Sequence, residues 1–400
     1  MIEDIIKTYG TPVWIYDAEV VRARIRDLKQ FDIVRFAQKA CSNIHILRLM
    51  HEEGVKVDAV SMGEIERALV AGYGADEIVF TADLLDRPTL DFVIGNNITV
   101  NAGSIDMLSQ LGERHRGHKV WIRINPGFGH GHSQKTNTGG ESSKHGIWHE
   151  DVQKALAIIR GFNLDLVGVH MHIGSGADYG HLAQVGNAMV DMIRNEGIDV
   201  SAISAGGGLS TPYKPEDKPI DPAQYFAVWD AARKSIEEHL GHTVKLEIEP
   251  GRYLVAESGK LLTEVRAVKD MGSLHYALVD AGFTELVRPA MYGSHHEITA
   301  IDANGEELGG KKRPTVVAGP LCESGDMFTQ SEGGFVEARP LPSVRAGDFL
   351  VIHTTGAYGA SMSSNYNSRT LAPEVLIDGN RIRLIRRRQT MAELLALENI

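Results

Sequence analysis

Between residues 30 and 260, short apolar β-type runs alternate with stretches whose apolar residues recur at helical spacing. Ile33–Ala37, Val57–Val60, Ile78–Thr81, Ile98–Asn101, Val120–Ile124, Leu166–Met171, Ala202–Ala205 and Lys245–Ile248 read as strands. Ser42–Glu53, Met62–Ala71, Ile105–Arg114 and Ala223–Leu240 read as helices between them. Eight strands separated by helices predict an α/β chain built on a (β/α)8 barrel of the TIM type.

Beyond about residue 260 the pattern changes. Leu261–Val268, Tyr276–Val279, Thr315–Val317, Phe349–His353, Val375–Ile377 and Ile382–Ile385 are short β-rich runs separated by Gly, Asp and Pro turns. They predict a mostly antiparallel β domain. Val13–Tyr16 precedes the barrel and can add a strand to it, and Thr390–Leu397 reads as a closing helix. The expected division is a barrel over 30–260 and a β-rich domain formed by 1–29 with 261–400. The stretch DANGEELGGKK, 302–312, reads as an exposed hairpin or loop.

Composition narrows the function classes. The chain has 400 residues, 43% of them hydrophobic, and a net charge of −11. An acidic chain argues against nucleic-acid binding, and RIRLIRRRQT at 381–390 reads as a solvated strand face. No run approaches a membrane span, and MIEDIIKTYG lacks the basic-then-apolar order of a secretion signal. With only Cys41 and Cys322, a cytoplasmic protein with reduced thiols is expected.

In a barrel of this type the chemistry sits where the strands end. The first strand ends in FAQKA, placing Lys39 there; the second carries Asp58 and Ser61. The fifth ends in Asn125 before a long loop, PGFGHGHSQKTNTGGESSKHG, and the sixth ends HMHIGSG, with His170 and His172 on one face. The seventh opens into AGGGLS and the eighth into EIEPGR. Each piece alone has an ordinary reading: a solvated lysine, turn glycines, a structural histidine pair. Together they describe a ligand. Gly206, Gly207 and Gly208 allow backbone N–H groups to approach a phosphate, and Gly251 and Arg252 can add a donor and a charge. Glu249 can keep a pyridine nitrogen protonated, His172 can stack on an aromatic ring, and Lys39 can form an imine with an aldehyde. Phosphate, ring nitrogen and aldehyde together describe pyridoxal 5′-phosphate.

The blocks FAQKACSN, HMHIGSG, GGGL, EPGR, VDAGFTELVRPAMYG, CESGD and GAYGASMSSNYNSR resemble the diaminopimelate decarboxylase family, in the alanine-racemase-like class of pyridoxal-phosphate enzymes, over essentially the whole chain. NPGFGHGHSQKTNTGGESSKHGIW resembles its enterobacterial-type branch. The resemblance implies decarboxylation of meso-2,6-diaminopimelate to L-lysine and CO2, the last step of lysine biosynthesis. It makes Lys39 the lysine that carries the cofactor and His172 the residue stacked on its ring. Gly208, Glu249, Gly251 and Arg252 then hold the phosphate and pyridine nitrogen. Arg252, Arg288 and Tyr292 become substrate contacts, Glu323 faces the distal ammonium, and Tyr358 touches cofactor or substrate. Cys322 becomes an acid supplied by the neighbouring subunit of a head-to-tail homodimer, in which CESGD enters the partner's barrel. Thr370 departs from the proline expected after NSR, a change in loop rigidity rather than chemistry.

Three other readings compete. A metal-dependent barrel hydrolase would use the HMH pair with His130 or His132, but the other strand ends carry Lys39, GGG and EPGR in place of further ligands; no metal is expected. A non-catalytic relative would have lost Lys39 or Cys322. A sister decarboxylase acting on D-ornithine, D-lysine or another basic amino acid would share the cofactor apparatus and differ around Arg288, Tyr292 and Glu323.

Overall fold

A computed structural model describes residues 1–129, 138–172, 174 and 179–399, and in it the chain divides into two units. One comprises Arg24–Ser210 and Pro219–Leu254; the other comprises Met1–Ala23, Thr211–Lys218 and Val255–Ile400. The first strand, β1 (Val13–Asp17), belongs to the second of these.

The larger unit is a barrel. Its strands are β2 (Ile33–Ala37), β3 (Lys56–Ala59), β4 (Ile78–Ala82), β5 (Thr99–Ala102) and β6 (Lys119–Asn125), followed, after a two-residue strand β7 (Ile147–Trp148), by β8 (Asp165–His170), β9 (Ala202–Ser204) and β10 (Lys245–Ile248). Eight of them pair in parallel in the ring β2-β3-β4-β5-β6-β8-β9-β10, and β10 closes back onto β2. Barrel strands are covered on both faces, which is why they read as continuous apolar runs. The eight strands read from the pattern are these eight. β7 is an addition that pairs only with the end of β6.

Local signals set the helices between strands. Ser61 caps Met62–Ala71 by accepting from Glu64 N–H, and Gly72 ends that helix in the left-handed region at φ +108°. Asp221 caps Pro222–Leu240 through Ala223 and Gln224. Inside the barrel, Arg35 on β2 and Glu247 on β10 form a buried ion pair, Nε to Oε2 2.6 Å.

The other unit is a mixed, mostly antiparallel sheet. It adds β11 (Gly259–Met271), β12 (Leu274–Val279), β13 (Ile298–Ile301), β14 (Lys312–Ala318), β15 (Arg339–Pro342), β16 (Phe349–Ile352), β17 (Glu374–Asp378) and β18 (Arg381–Arg386). The order is β15-β14-β12-β11-β1-β17-β18, with β16 on β11 and β13 on β16. Two pairings are parallel, β1 with β17 and β12 with β14. A bulge between Val265 and Ala267 divides β11, so its first half pairs with β1 and β16 and its second half with β12.

The pattern had not indicated β13 and β15. β15 reads RPLP, and two prolines normally argue against a strand; it is tolerated because β15 lies at the sheet edge. Arg381–Arg386 is a largely solvated strand, and 302–312 opens with a tight turn, Gly305 N–H to Asp302 O at 3.0 Å. The closing helix spans Met391–Leu395, with Thr390 and Glu393 forming a capping box.

The N-terminal segment forms the helix Ile2–Tyr9. Ile5 is fully buried in a cluster with Val13, Ile15, Leu262, Phe349 and Val375, and Ile2, Ile6 and Tyr9 pack against it. The spacing 2, 5, 6, 9 is one apolar helix face, here closing the core of the β unit.

Candidate active site

Lys39 follows β2 in a single 3-10 turn, Gln38–Ala40. Gln38 and Ala40 are buried while Lys39 is exposed. The turn is tied to the helix after β3 and to the end of β10: Gln38 Nε2 donates to Glu64 O at 3.0 Å, and Ala37 N–H donates to Pro250 O at 3.2 Å. A Cβ on Gly251 would stand 3.1 Å from Ala37 O and 3.2 Å from Ala40 Cβ, so a glycine there lets EPGR approach the lysine turn. Arg252 comes next and opens the short helix Arg252–Val255.

Glu249 follows β10 and is 9% exposed. Ser204 Oγ donates to Oε1 at 2.8 Å, and His170 Nε2 lies 2.9 Å from Oε2. Burial alone would raise its pKa. The charge and hydrogen bond of His170, the Ser204 hydroxyl and the Arg35 charge overcome burial and lower it to about 2. Glu249 is therefore an ionised carboxylate at neutral pH, able to hold a protonated ring nitrogen.

The glycine turn follows β9. Ser204 Oγ accepts from Gly206 N–H at 3.1 Å, and Gly206 O accepts from Glu249 N–H at 2.8 Å. Gly206 and Gly208 are left-handed, at φ +62° and +102°. A Cβ on Gly206 would stand 2.6 Å from His172 Cβ, and one on Gly208 would stand 2.6 Å from Gly174 O. Only glycine gives this turn both its conformation and its close approach. The His172 ring borders it, and its pKa is held well below the usual value by burial and then by the charges of Arg123, His170 and Lys39. A neutral imidazole suits a stacking role.

Two further groups at this end were not assigned roles from the sequence. Arg123 on β6 is 8% exposed, with no hydrogen-bond partner for Nη2 among the described residues, and it lies in the field of Asp83, Glu249 and Asp58. Asp58 on β3 is buried; burial, then the charge of Glu249, raises its pKa well above the carboxylate range. The signal for Arg123 was present as a charge inside the apolar run VWIRIN. Asn125 ties the long loop's described ends together, its amide donating to Gly140 O at 3.1 Å and His145 O at 3.2 Å. His130 and His132, and Ile173, Ser175 and Gly176 of the HMHIGSG block, lie outside the described residues. No group of three metal-ligating side chains occurs among the described residues.

The barrel end thus brings together Lys39, His172, Gly208, Glu249, Gly251 and Arg252. They fit pyridoxal phosphate on observations of this fold: a turn whose close spacing leaves no room for side chains, an ionised buried carboxylate, and an exposed lysine on an anchored turn.

The β unit brings together three of the sequence blocks. Phe283 N–H donates to Asp326 Oδ1 at 2.7 Å, joining VDAGFTELVRPAMYG to CESGD. Cys322 N–H donates to Asn367 Oδ1 at 3.2 Å and Ser364 N–H to Thr284 O at 2.9 Å, joining both to GAYGASMSSNYNSR. Cys322 and Glu323 are exposed, and Tyr366 OH reaches Glu323 Oε2 at 3.5 Å. Tyr292 and Tyr358 are half-buried, Tyr358 with a left-handed φ of +57°.

Arg288 is buried at the start of the helix Arg288–Tyr292. Its guanidinium lies 4.8 Å from the Tyr213 ring centroid, and Nη1 is 3.0 Å from His296 Nε2. Burial, then the Arg288 charge, holds His296 neutral; its Nδ1 donates to His353 O at 3.0 Å, leaving Nε2 to accept from Arg288. Tyr213 and His296 carried no sequence signal, because only folding brings them to Arg288.

The family described as pyridoxal-dependent decarboxylase, pyridoxal binding domain, matches residues 18–256. Diaminopimelate decarboxylase of Escherichia coli (strain K12) is 65% identical over 397 residues, covering 98% of this chain and 94% of that protein. The enzyme of that name from Streptomyces coelicolor is 64% identical over 394 residues, covering 98% and 90%. A crystal structure of diaminopimelate decarboxylase superposes with a TM-score of 0.97 at 64% identity, covering 99% of this chain and 96% of that one. A barrel that gathers this residue set, a mixed β unit that gathers three further blocks, and identity along almost the entire length point one way: the chain belongs to the diaminopimelate decarboxylase family of pyridoxal-dependent decarboxylases.

Proposed function

We propose that this chain decarboxylates meso-2,6-diaminopimelate to L-lysine and CO2 with pyridoxal 5′-phosphate, as the last step of lysine biosynthesis. The observation that carries the reading is the convergence of Lys39, the ionised Glu249 and the glycine turn on one barrel end, in a chain of this family. Bound pyridoxal phosphate supplies an electron sink for the bonding pair left at Cα when CO2 departs.

The chain's own residues do the rest. Lys39 binds the cofactor's aldehyde and later frees the product. The turn Gly206–Gly208, with Gly251, Arg252 and Tyr358, seats the phosphate. Glu249 keeps the ring nitrogen protonated, and His172 stacks on the ring. Arg252, Arg288, Tyr292, Tyr358 and Glu323 orient the substrate; Arg288 offers a carboxylate a planar fork, and Glu323 pairs with the distal ammonium. This orientation selects which bond at Cα is broken. Cys322 Sγ delivers the proton that replaces the departed carboxylate.

In this reading residues 30–260 bind the cofactor, while 1–29 and 261–400 complete the site as a head-to-tail homodimer in the cytoplasm, Cys322 and Glu323 acting on the partner's barrel. Their exposure in the single chain supports that role. Among the described residues no helix is long and apolar enough to cross a membrane.

Lys39→Ala tests the assignment: the purified variant should lose both the imine absorbance and turnover. Substantial turnover would remove Lys39 from its role. Assay against meso-diaminopimelate, D-lysine and D-ornithine tests the substrate, and preference for either basic amino acid would assign the chain to a sister activity.

A further inference from the structure

The glycine turn is held from behind by a side chain outside every motif considered so far. Tyr225 lies in the first turn of Pro222–Leu240, and its backbone N–H donates to Asp221 O at 3.0 Å. Its ring is 1% exposed and lies 6.4 Å, centroid to centroid, from that of Phe31. Its hydroxyl donates to Gly207 O at 3.0 Å. Burial keeps that phenol protonated, hence a donor.

A peptide unit is planar and trans, so the Gly207 carbonyl and the Gly208 N–H point in opposite directions within one plane. A donor that fixes the carbonyl toward the helix therefore aims the N–H away from it. The lock matters here because the unit joins two glycines, for which rotating the whole peptide has little steric cost. Such a rotation would turn the Gly208 N–H away from an anion seated on the turn.

We propose that Tyr225 is a positioning residue for phosphate recognition, its hydroxyl locking the Gly207–Gly208 peptide with the N–H presented to the cofactor's phosphate. The inference rests on the reading of the glycine turn as the phosphate seat. It predicts a defect confined to the phosphate. Loss of one buried hydrogen bond and the consequent freedom of the turn should weaken pyridoxal phosphate binding about tenfold. Binding of pyridoxal, which has the ring and aldehyde without the phosphate, should be unchanged.

The experiment titrates apoenzyme with pyridoxal phosphate and with pyridoxal, following absorbance of the bound aldehyde, for wild type, Tyr225→Phe, Phe31→Leu and Gly208→Ala. Tyr225→Phe keeps the ring and removes only the donor. A selective loss for pyridoxal phosphate in Tyr225→Phe, absent from the packing control Phe31→Leu, is the expected result. Equal losses for both ligands, no loss, or the same selective loss in Phe31→Leu would overturn the proposal. Gly208→Ala separates the two levels. If it preserves the discrimination, the phosphate seat itself is wrongly assigned; if it alone abolishes the discrimination, the seat stands and the Tyr225 role falls.

Discussion

Glu249 sits where burial and its neighbours act in opposite directions, and the neighbours prevail. Replacing it by glutamine keeps the shape and the Ser204 hydrogen bond but removes the charge. Glu249→Gln should retain bound cofactor and lose about 10²–10³-fold in turnover, the magnitude of one preorganised electrostatic group. The same shift has a consequence for stability. The folded pKa, about 2, is below the ordinary 4.5, so ionised Glu249 stabilises the fold above the unfolded value, and this contribution is lost as pH falls through about 2. The difference in urea midpoint between wild type and Glu249→Gln should therefore shrink between about pH 6 and about pH 3, and a constant difference would contradict the assignment. Cys322 lies at the other extreme, exposed, with its backbone N–H donating to Asn367 Oδ1. Cys322→Ala should leave cofactor absorbance intact while turnover falls steeply; unchanged turnover would remove the proton-donor role.

At the scale of elements, what is legible depends on whether a segment's partner is nearby in sequence. Met62–Ala71 and Ile105–Arg114 were readable end to end, because serine caps and an apolar stripe are local signals. The helix Ile2–Tyr9 is recognisably amphipathic, but apart from β1 its partners come from β11, β13, β16 and β17, far along the chain. Ile5→Ala should cost about 2–4 kcal/mol by urea denaturation, the range for truncating a fully buried aliphatic side chain. A cost below about 1 kcal/mol would mean that the helix is not part of the core. β15 was missed for the opposite reason, since its prolines signal a loop and only its place at a sheet edge makes them acceptable. Arg35 and Glu247 are each a charge in a strand, unremarked in sequence, yet they form a buried pair across β2 and β10. Arg35→Met should destabilise the barrel by about 3–5 kcal/mol, because it leaves Glu247 buried without its counterion.

For the whole molecule, the proposed sharing of the site between subunits makes a prediction that a self-contained chain does not. Lys39→Ala and Cys322→Ala, each inactive alone, should regain activity when mixed under conditions that allow subunits to exchange. Random pairing makes roughly half the dimers hybrids with one intact site of two, or about a quarter of wild-type turnover. No recovery despite demonstrated exchange would place both residues in one chain's own site. By itself the sequence determined most of the element types, the eight-strand series and the glycine, lysine and carboxylate positions where strands end, because periodicity, caps and turn residues act over a few neighbours. Tertiary structure alone decided that Glu249 is ionised, since this depends on His170, Ser204 and Arg35 from three other strands. It likewise set Arg288 over Tyr213 and against His296, and Tyr225 behind Gly207. Distances of a few ångströms between residues on different elements are set when the barrel closes and the sheet assembles, and no local pattern encodes them.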